Sequence, residues 1–332
     1  MKLIYIENHS GIPKYKQIIH SIEKTIENGD LKKDDKLPSI NKVRLEFSLS
    51  RDTVLQAYEE LKKRGIIYAI LGKGYYVKST QVSIQQKIFL LFDELNIFKE
   101  DLYNSILENI GKNAQVDIFF HHFNIKVFEK LISDCNGSYT KYIIMPTNLL
   151  TASDFIKTLP VSDVYILDQT NEELKAYPAV YQNFKKNIYE GLNKEKNKLK
   201  KYNKLVMIFS GSREPVGMKI GFENFCRDHS FDYEIITEFK KRELKKGEVY
   251  VIPNDRDLVS VIERSKIQEF KIGTDFGVIS YNETPLKKIV ENGITTISTN
   301  FEAMGKIVAQ MALTGKNEQI ENESSIIIRN SL

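Results

Sequence analysis

From residue 87 onward, short apolar runs alternate with amphipathic stretches, and this alternation restricts the possible fold more than any other feature of the sequence. The apolar runs predict strands at 87–92, 116–120, 142–145, 164–167, 205–209, 233–237, 249–252 and 277–280. The amphipathic stretches include 101–110, 126–133, 179–192, 216–228 and 258–265. Strands that alternate with helices form parallel sheets covered by helices on both faces. So many strands in one segment favour two doubly wound lobes over one.

Polar side chains follow nearly all of these predicted strands. Ligands of doubly wound sheets bind beyond the carboxyl ends of the strands, and two lobes turn those ends toward one cleft. Carboxylates and amides suit the hydroxyl groups of a sugar, and aromatic rings suit its C–H faces. The strand-end residues that we select as candidate ligand contacts are Asp93, His121, Asp168, Ser210 and Arg213. Because polar residues cap strands in every α/β protein, we expect about half of the strand-end positions to be loop or cap residues only.

The first eighty residues follow a different pattern. Apolar residues at helical spacing predict one helix between Pro13 and Gly29, a second capped by Ser39 and a third capped by Ser50. The last part of this segment consists of two short β segments, 66–71 and 75–78, and the turn Gly72-Lys73-Gly74 that joins them. Three helices and a hairpin in this order predict a winged helix-turn-helix.

The positive charge of the chain, formally +4, lies in this segment. Residues 1–80 contain 15 Lys and Arg against 10 Asp and Glu, whereas the rest of the chain contains 33 against 34. A basic module on a near-neutral body suggests a polyanionic partner, and a solvated lysine-rich surface is the alternative. The third helix presents Ser50, Arg51 and Thr53 at its N-terminus, which suits phosphate contact and major-groove readout. The Gly72-Lys73-Gly74 turn can approach a phosphate or the minor groove.

Six short motifs extend this interpretation over about 65 residues. They are Pro13-x-Tyr15-x-Gln17-Ile18, Gly29-x-Leu31, Asp35-x-Leu37-Pro38-Ser39, Ser50-Arg51-x-Thr53-Val54, Ala57-Tyr58-x-x-Leu61 and Gly72-Lys73-Gly74. In this order they resemble the DNA-binding domain of the GntR family of bacterial transcription regulators. Two departures concern basic residues: Ile40-Asn41 stands where the family has Glu-Arg, and Leu55 stands where a second Arg is common. The candidate DNA contacts are therefore Lys42, Arg44, Ser50, Arg51, Thr53, Gly72, Lys73 and Gly74.

A looser resemblance covers most of residues 87–330. It rests on Tyr250-Val-Ile-Pro-Asn-Asp255, on Gly277-Val-Ile-Ser-Tyr-Asn-Glu-Thr284, on the segment from Ile294 to Gly305, and on a last strand at 325–329. These segments resemble the effector domain of lactose-repressor-like regulators, which is similar to periplasmic sugar-binding proteins. The resemblance implies that Asn254, Asp255 and Asn282 contact the ligand. The ligand-gripping arginine of that family falls at Met218, ahead of Gly221-Phe222, and Arg213 is the candidate substitute.

The sequence carries no common catalytic or cofactor-binding signature. It lacks G-x-S-x-G, H-E-x-x-H, G-x-x-x-x-G-K-[ST], and G-x-G-x-x-G after a strand, so we expect no enzyme and no cofactor. Cys135 and Cys226 form neither a disulfide framework nor a zinc cluster, and we expect no metal. No run approaches the roughly 20 apolar residues of a membrane span, and no signal peptide is recognisable. These features predict a cytoplasmic protein without a membrane partner.

Together these observations predict an α/β protein in three parts. A winged helix-turn-helix occupies 1–79, a linker occupies 80–86, and a two-lobed periplasmic-binding-protein-like domain with doubly wound parallel sheets occupies 87–332. The predicted function is that of a homodimeric transcriptional repressor that binds double-stranded operator DNA and responds to a carbohydrate effector. The alternative is a two-lobed small-molecule sensor whose N-terminal module docks a protein rather than DNA.

Overall fold

The predicted helices and hairpin of the first eighty residues are present in the computed structural model, which describes residues 3–7, 12–82, 86–112, 114–240 and 242–332. The elements of this module are α1 (Lys14–Glu27), α2 (Ile40–Phe47), α3 (Arg51–Lys63), β1 (Ile67–Ile70) and β2 (Gly74–Val77). The hydroxyl oxygens of Ser39 and Ser50 accept hydrogen bonds from the backbone N–H groups of Lys42 and Thr53, which fixes the starts of α2 and α3. Strands β1 and β2 pair antiparallel.

The core of this module forms where the helical spacing predicts it. Val54 and Tyr58 of α3 are fully buried, and they pack in one cluster with Ile18 and Ile22 of α1. The segment 3–7, for which the sequence analysis predicts no structure, lies along α1. There the Ser21 hydroxyl accepts a hydrogen bond from the Tyr5 amide at 3.1 Å and donates one to its carbonyl at 2.8 Å.

The first lobe of the larger domain is built on a fully parallel sheet. Its elements are β3 (Gln86–Phe92), α4 (Ile97–Ile110), β4 (Ala114–Phe120), α5 (Ile125–Cys135), β5 (Lys141–Ile144), α6 (Ala152–Ile156), β6 (Val164–Asp168), β7 (Ala179–Tyr181), α11 (Phe301–Thr314) and β13 (Gln319–Glu321). The strand order is β13-β7-β6-β5-β3-β4. Apolar side chains bury both faces of this sheet, as expected when helices cover it on both sides.

The second lobe repeats this arrangement with one reversed strand. Its elements are α7 (Phe184–Lys194), α8 (Lys196–Leu199), β8 (Lys204–Ile208), α9 (Val216–Asp228), β9 (Tyr233–Ile236), β10 (Glu248–Ile252), α10 (Asp255–Ile267), β11 (Gly277–Tyr281), β12 (Thr295–Thr299) and β14 (Ser324–Ile327). The strand order is β14-β12-β11-β10-β8-β9, and β14 pairs antiparallel with β12. The prediction of two doubly wound lobes is confirmed, and the antiparallel edge strand β14 is a departure from purely parallel sheets.

One predicted element differs from the structure. The stretch 179–192, predicted as a single amphipathic helix, is divided into β7 in the first lobe and α7 in the second. Asn183 causes the division, because its side chain accepts a hydrogen bond from the Lys186 backbone at 3.2 Å and begins α7. The sequence analysis also does not predict strand β13, which is only three residues long.

Three segments connect the lobes, at residues 182–183, at residue 300 and at residues 322–323. These connections bond to one another. The Asn322 side-chain amide donates to the Thr299 hydroxyl and to the Asn300 carbonyl, both at 2.9 Å. The Asn322 backbone donates to the Tyr181 carbonyl at 2.8 Å. The crossing segments thus form one hydrogen-bonded hinge beside the cleft.

The winged helix-turn-helix rests on the first lobe through an ion pair. Lys63, the last residue of α3, lies 2.7 Å from the carboxylate of Asp163, and Lys141 of β5 lies 3.1 Å from the same carboxylate. Asp163 directly precedes β6, which ends at Asp168. Part of the predicted linker, residues 83–85, lies outside the described residues.

Within the part of the chain that the structure describes, we find no helix with the length and apolar character needed to cross a membrane.

Candidate functional site

The residues predicted to contact DNA lie at the start of α3, on α2 and in the hairpin turn. Lys42, Arg44 and Arg51 are exposed. The Ser50 and Thr53 hydroxyls lie 2.8 Å apart, and the Ser50 oxygen also accepts from the Thr53 backbone at 3.1 Å. These two hydroxyls therefore already serve as the cap of α3, whereas the basic side chains extend into solvent.

The hairpin turn has the conformation that its two glycines permit. Gly72 has φ +72° and Gly74 has φ +115°, both in the region that favours glycine. The turn lies beside α3, because Tyr75 of β2 packs edge-on against Tyr58 with ring centroids 4.9 Å apart. Lys73 is exposed at the tip.

The basic side chains of this surface extend away from the acidic residues that the structure describes. Among the described residues, Lys42, Arg44, Arg51 and Lys73 form no ion pair. Their positive charges are therefore free to pair with phosphates, the interaction that dominates affinity for nucleic acid.

A cleft of about 180 Å³ lies between the lobes, at the carboxyl ends of β3, β6, β8, β10 and β11. This volume is below the roughly 300–1,000 Å³ that is typical of ligand sites. Five of the eight predicted ligand contacts line it, namely Asp93, Asp168, Arg213, Asn254 and Asn282. The structure does not bring the other three, His121, Ser210 and Asp255, to its wall.

The first lobe contributes two buried carboxylates to the cleft. Asp93 forms an ion pair with Lys99, a residue of the first turn of α4. Asp168 accepts a hydrogen bond from the Gln182 side-chain amide at 2.5 Å. Burial raises the pKa of Asp168 above its ordinary value, and the nearby Lys99 ammonium partly opposes this effect.

Side chains from the two lobes meet across the cleft. The Tyr281 hydroxyl, at the end of β11, donates to the Gln182 side-chain carbonyl at 3.1 Å. Arg213 of the second lobe lies 3.1 Å from the Glu94 carboxylate of the first. The guanidinium of Arg213 also lies 4.8 Å from the centre of the Phe123 ring. The Arg213 contacts join the two lobes, whereas the buried bond between Tyr281 and Gln182 joins the second lobe to a connecting segment.

The second lobe contributes two amides with different roles. The Asn254 side chain accepts from the Arg256 backbone at 2.8 Å and caps α10, as amides at helix starts commonly do. Asn282 has φ +60°, and its buried side-chain oxygen has no hydrogen-bond partner among the described residues. An acceptor that is buried without a donor is costly, so the Asn282 oxygen is suited to accept a hydrogen bond from a ligand.

Asp255 does not line the cleft, and 61% of its side chain is exposed. Its carboxylate is 2.7 Å from the ammonium of Lys287, which is buried. Lys287 also donates to the backbone carbonyls of Tyr281 at 2.8 Å and Asn282 at 2.9 Å. Desolvation lowers the pKa of Lys287, and Asp255 opposes this shift. Asp255 thus holds the lysine that fixes the Asn282 loop.

His121 and Ser210 are occupied elsewhere. His121 is fully buried, and one ring nitrogen lies 3.1 Å from the Met145 carbonyl while the other accepts from the Phe123 backbone at 3.2 Å. Burial lowers the pKa of His121, so the neutral ring is favoured. The Ser210 hydroxyl donates to Glu214 at 2.6 Å within its own loop. Both residues have the local structural roles that polar residues at strand ends often have.

Several cleft residues were not selected from the sequence. They include Lys99, Gln182, Glu214, Met218 and the rings of Phe98, Phe123, Phe184 and Tyr281. Phe123 and Tyr281 follow predicted strands, so their position at strand ends could have identified them from the sequence. Lys99 lies within a helix and Gln182 on a crossing segment, so only the tertiary structure brings them to the cleft.

Comparison with known proteins finds a matching protein family for each of the two parts of the chain. The profile described as bacterial regulatory proteins, gntR family, matches residues 14–77, and that of a periplasmic binding protein-like domain matches residues 199–332. The HTH-type transcriptional repressor YtrA of Bacillus subtilis is 32% identical over 106 residues, which cover 32% of this chain and 78% of YtrA. The HTH-type transcriptional regulator YydK of the same organism is 26% identical over 84% of this chain and 97% of its own length.

The fold of the larger domain is shared with solved regulators. The LacI family transcriptional regulator from Lactobacillus casei, solved with bound glucose, superposes with a TM-score of 0.60 at 15% identity, covering 74% of this chain and 99% of that chain. The two-lobed architecture is therefore that of LacI-type regulators. The chain belongs to the GntR family of bacterial transcriptional regulators and combines that family's winged helix-turn-helix with a two-lobed LacI-like domain.

Proposed function

We propose that this protein is a sugar-responsive repressor whose operator affinity is set by a ligand bound in the cleft between the lobes. The observation that carries the proposal is the composition of this cleft. Carboxylates lie among the rings of Phe98, Phe123, Phe184 and Tyr281, together with the Asn282 amide oxygen, which has no hydrogen-bond partner among the described residues. Sugars present hydroxyl donors and apolar C–H faces that match these groups. The similar L. casei regulator has glucose bound, and the relative YtrA is a repressor.

The basic surface of the winged helix is the proposed DNA interface. Arg51 at the start of α3 is the base-reading residue, since arginine recognises guanine in the major groove through two hydrogen bonds. Lys42, Arg44 and Lys73 contact the phosphate backbone from α2 and the hairpin turn. A homodimer places two such modules on the two halves of a palindromic operator.

Effector binding changes operator affinity through the arrangement of the lobes. A ligand shifts a conformational equilibrium only by binding its two states with different affinity. A sugar between Asp168 of the first lobe and Asn282 of the second favours the closed arrangement. Because Lys63 attaches the DNA-binding module to the first lobe, a change between the lobes alters the spacing of the two modules in a dimer.

The proposal includes the organisation and location of the chain. The DNA-binding domain spans 1–79, and the effector-binding and dimerisation domain spans 87–332 together with Gln86, the residue of the predicted linker 80–86 that begins β3. The protein acts in the cytoplasm, where operator DNA is found, and it catalyses no reaction.

Binding of the full-length protein to genomic DNA fragments tests this function. Fragments selected by the protein should share an inverted repeat and should bind it in the presence of excess competitor DNA. A panel of monosaccharides added to one selected fragment should change the apparent Kd. Sedimentation of the same protein should give a dimer. Binding without sequence preference, or a monomer at micromolar concentration, would contradict the proposal.

A further inference from the structure

The charged groups that line the cleft are unbalanced. Four carboxylates, those of Asp93, Glu94, Asp168 and Glu214, face two cations, Lys99 and Arg213. Both cations already have partners, because Lys99 pairs with Asp93 and Arg213 pairs with Glu94. Asp168 and Glu214 form no ion pair with any described residue. The cleft therefore carries a formal excess of two negative charges.

The hydrogen-bonding groups of the cleft are unbalanced in the same direction. The buried side-chain oxygen of Asn282 has no donor among the described residues. Asp168 accepts a hydrogen bond from the Gln182 side-chain amide at 2.5 Å, and Gln169 is a second donor to its carboxylate. Met218 and Pro253 contribute apolar surface nearby. The carboxylates of Asp168 and Glu214 and the Asn282 oxygen favour a ligand that supplies O–H or N–H groups.

An anionic ligand would make both imbalances worse. A phosphate or carboxylate group adds negative charge and acceptor oxygens to a site whose two described cations, Lys99 and Arg213, already have carboxylate partners. Like charges repel strongly in a site removed from water, and an unpaired charge there is costly. A neutral polyol adds donors without charge, and an ammonium group adds donors together with the missing positive charge.

We infer that the effector is a neutral or amine-bearing sugar and that the cleft rejects phosphorylated sugars and sugar acids. The inference rests on the proposed function, in which the cleft binds a sugar. It specifies the chemical class of that sugar from the charges and acceptors of Asp168, Glu214 and Asn282.

Matched ligand sets test the inference on the full-length protein. Glucose, glucosamine, glucose 6-phosphate and gluconate form one set, and the corresponding galactose and mannose derivatives form two more. Thermal shift identifies the bound sugars and titration calorimetry gives each Kd. The sugar that binds should be neutral or amine-bearing, and its phosphorylated counterpart should bind at least tenfold more weakly. A phosphorylated or acidic sugar that binds as tightly as its neutral counterpart overturns the inference and leaves the proposed function standing. If no sugar of any class binds, the proposed sugar effector is wrong, and the inference falls with it.

Charge-neutral variants locate the discrimination in the cleft. In Glu214→Gln and in Asp168→Asn, the ratio of the Kd for the phosphorylated sugar to that for its neutral counterpart should fall at least threefold. The control Glu129→Gln removes an exposed carboxylate of α5, away from the cleft, and should leave this ratio unchanged. A general loss of affinity raises both Kd values and leaves their ratio unchanged, so a change in the ratio reports only the preference for the neutral sugar over the phosphorylated one. An unchanged ratio in both cleft variants would overturn the inference.

Discussion

The contacts of Arg213 across the cleft predict how strongly the ligand-free lobes are held together. Its ion pair with Glu94 is solvent-accessible, with 61% of the Arg213 side chain and 35% of the Glu94 side chain exposed, so we assign it about 0.2–1 kcal/mol. The cation–π contact with Phe123 adds about 0.5–1 kcal/mol at an exposed site. Replacing Arg213 by Ala should therefore favour the open lobes by about 0.7–2 kcal/mol, or roughly 3-fold to 30-fold in the equilibrium constant.

Pulsed electron resonance between one spin label in each lobe measures this equilibrium in the absence of sugar. Arg213→Ala should move the distance distribution toward longer separations. Glu94→Gln should have a smaller effect, because it removes the ion pair and retains the ring contact. Phe123→Leu should also have a smaller effect, since it removes only the ring contact. A distribution that is unchanged in Arg213→Ala, or a larger shift in Glu94→Gln, would refute this account of lobe closure.

Three further predictions concern other parts of the molecule. Arg51→Ala should weaken operator binding by about 1–3 kcal/mol and relax specificity at one base pair. Lys73→Ala should weaken binding to all DNA sequences equally and reduce the slope of log K against log salt concentration by about one, and fluorescence anisotropy measures both effects. Asp163→Asn removes the ion pair with Lys63 that joins the winged helix to the first lobe, and limited proteolysis should then cut between the two parts more rapidly. Burial raises the pKa of Asp168 in the folded state. Burying the Asp168 carboxylate therefore destabilises the folded protein above the folded-state pKa, where the group is charged, and has no such effect below the unfolded-state pKa, where the group is protonated in both states. Asp168→Asn should thus raise the free energy of unfolding more at neutral than at acidic pH in urea titrations, and an equal effect at both would contradict this.

The DNA-binding module could be predicted almost completely from the sequence, because its signals are local. Ser39 and Ser50 mark helix starts through their own hydroxyl groups, and Gly72 and Gly74 mark the turn through their allowed φ values. Neither signal depends on distant residues. The short segment at residues 3–7 lacked such a signal, since it is held by contacts with α1, among them the hydrogen bonds to Ser21 and Gln17 and the burial of Ile4.

The cleft could be predicted only in part, because strand ends define positions and not side-chain directions. Asp168 and Asn282 follow predicted strands and do line the cleft, whereas His121 also follows a strand and is buried beneath it. Lys99 gave no signal, since a lysine in the first turn of a helix is usually solvated. The reversed direction of strand β14 could not be predicted either. This direction is set by the chain crossing from one lobe to the other just before β14, and no local sequence pattern indicates such a crossing.

Operator affinity measured with and without the bound sugar tests most directly the central claim that the cleft controls DNA binding. For the native protein, saturating sugar should change the operator Kd by at least fivefold, within the range usual for coupled sites. In Asn282→Ala this response should be lost, while operator affinity without sugar stays within about threefold of the native value, as expected for distant sites. A sugar that saturates the cleft and leaves the operator Kd of the native protein unchanged would contradict the account.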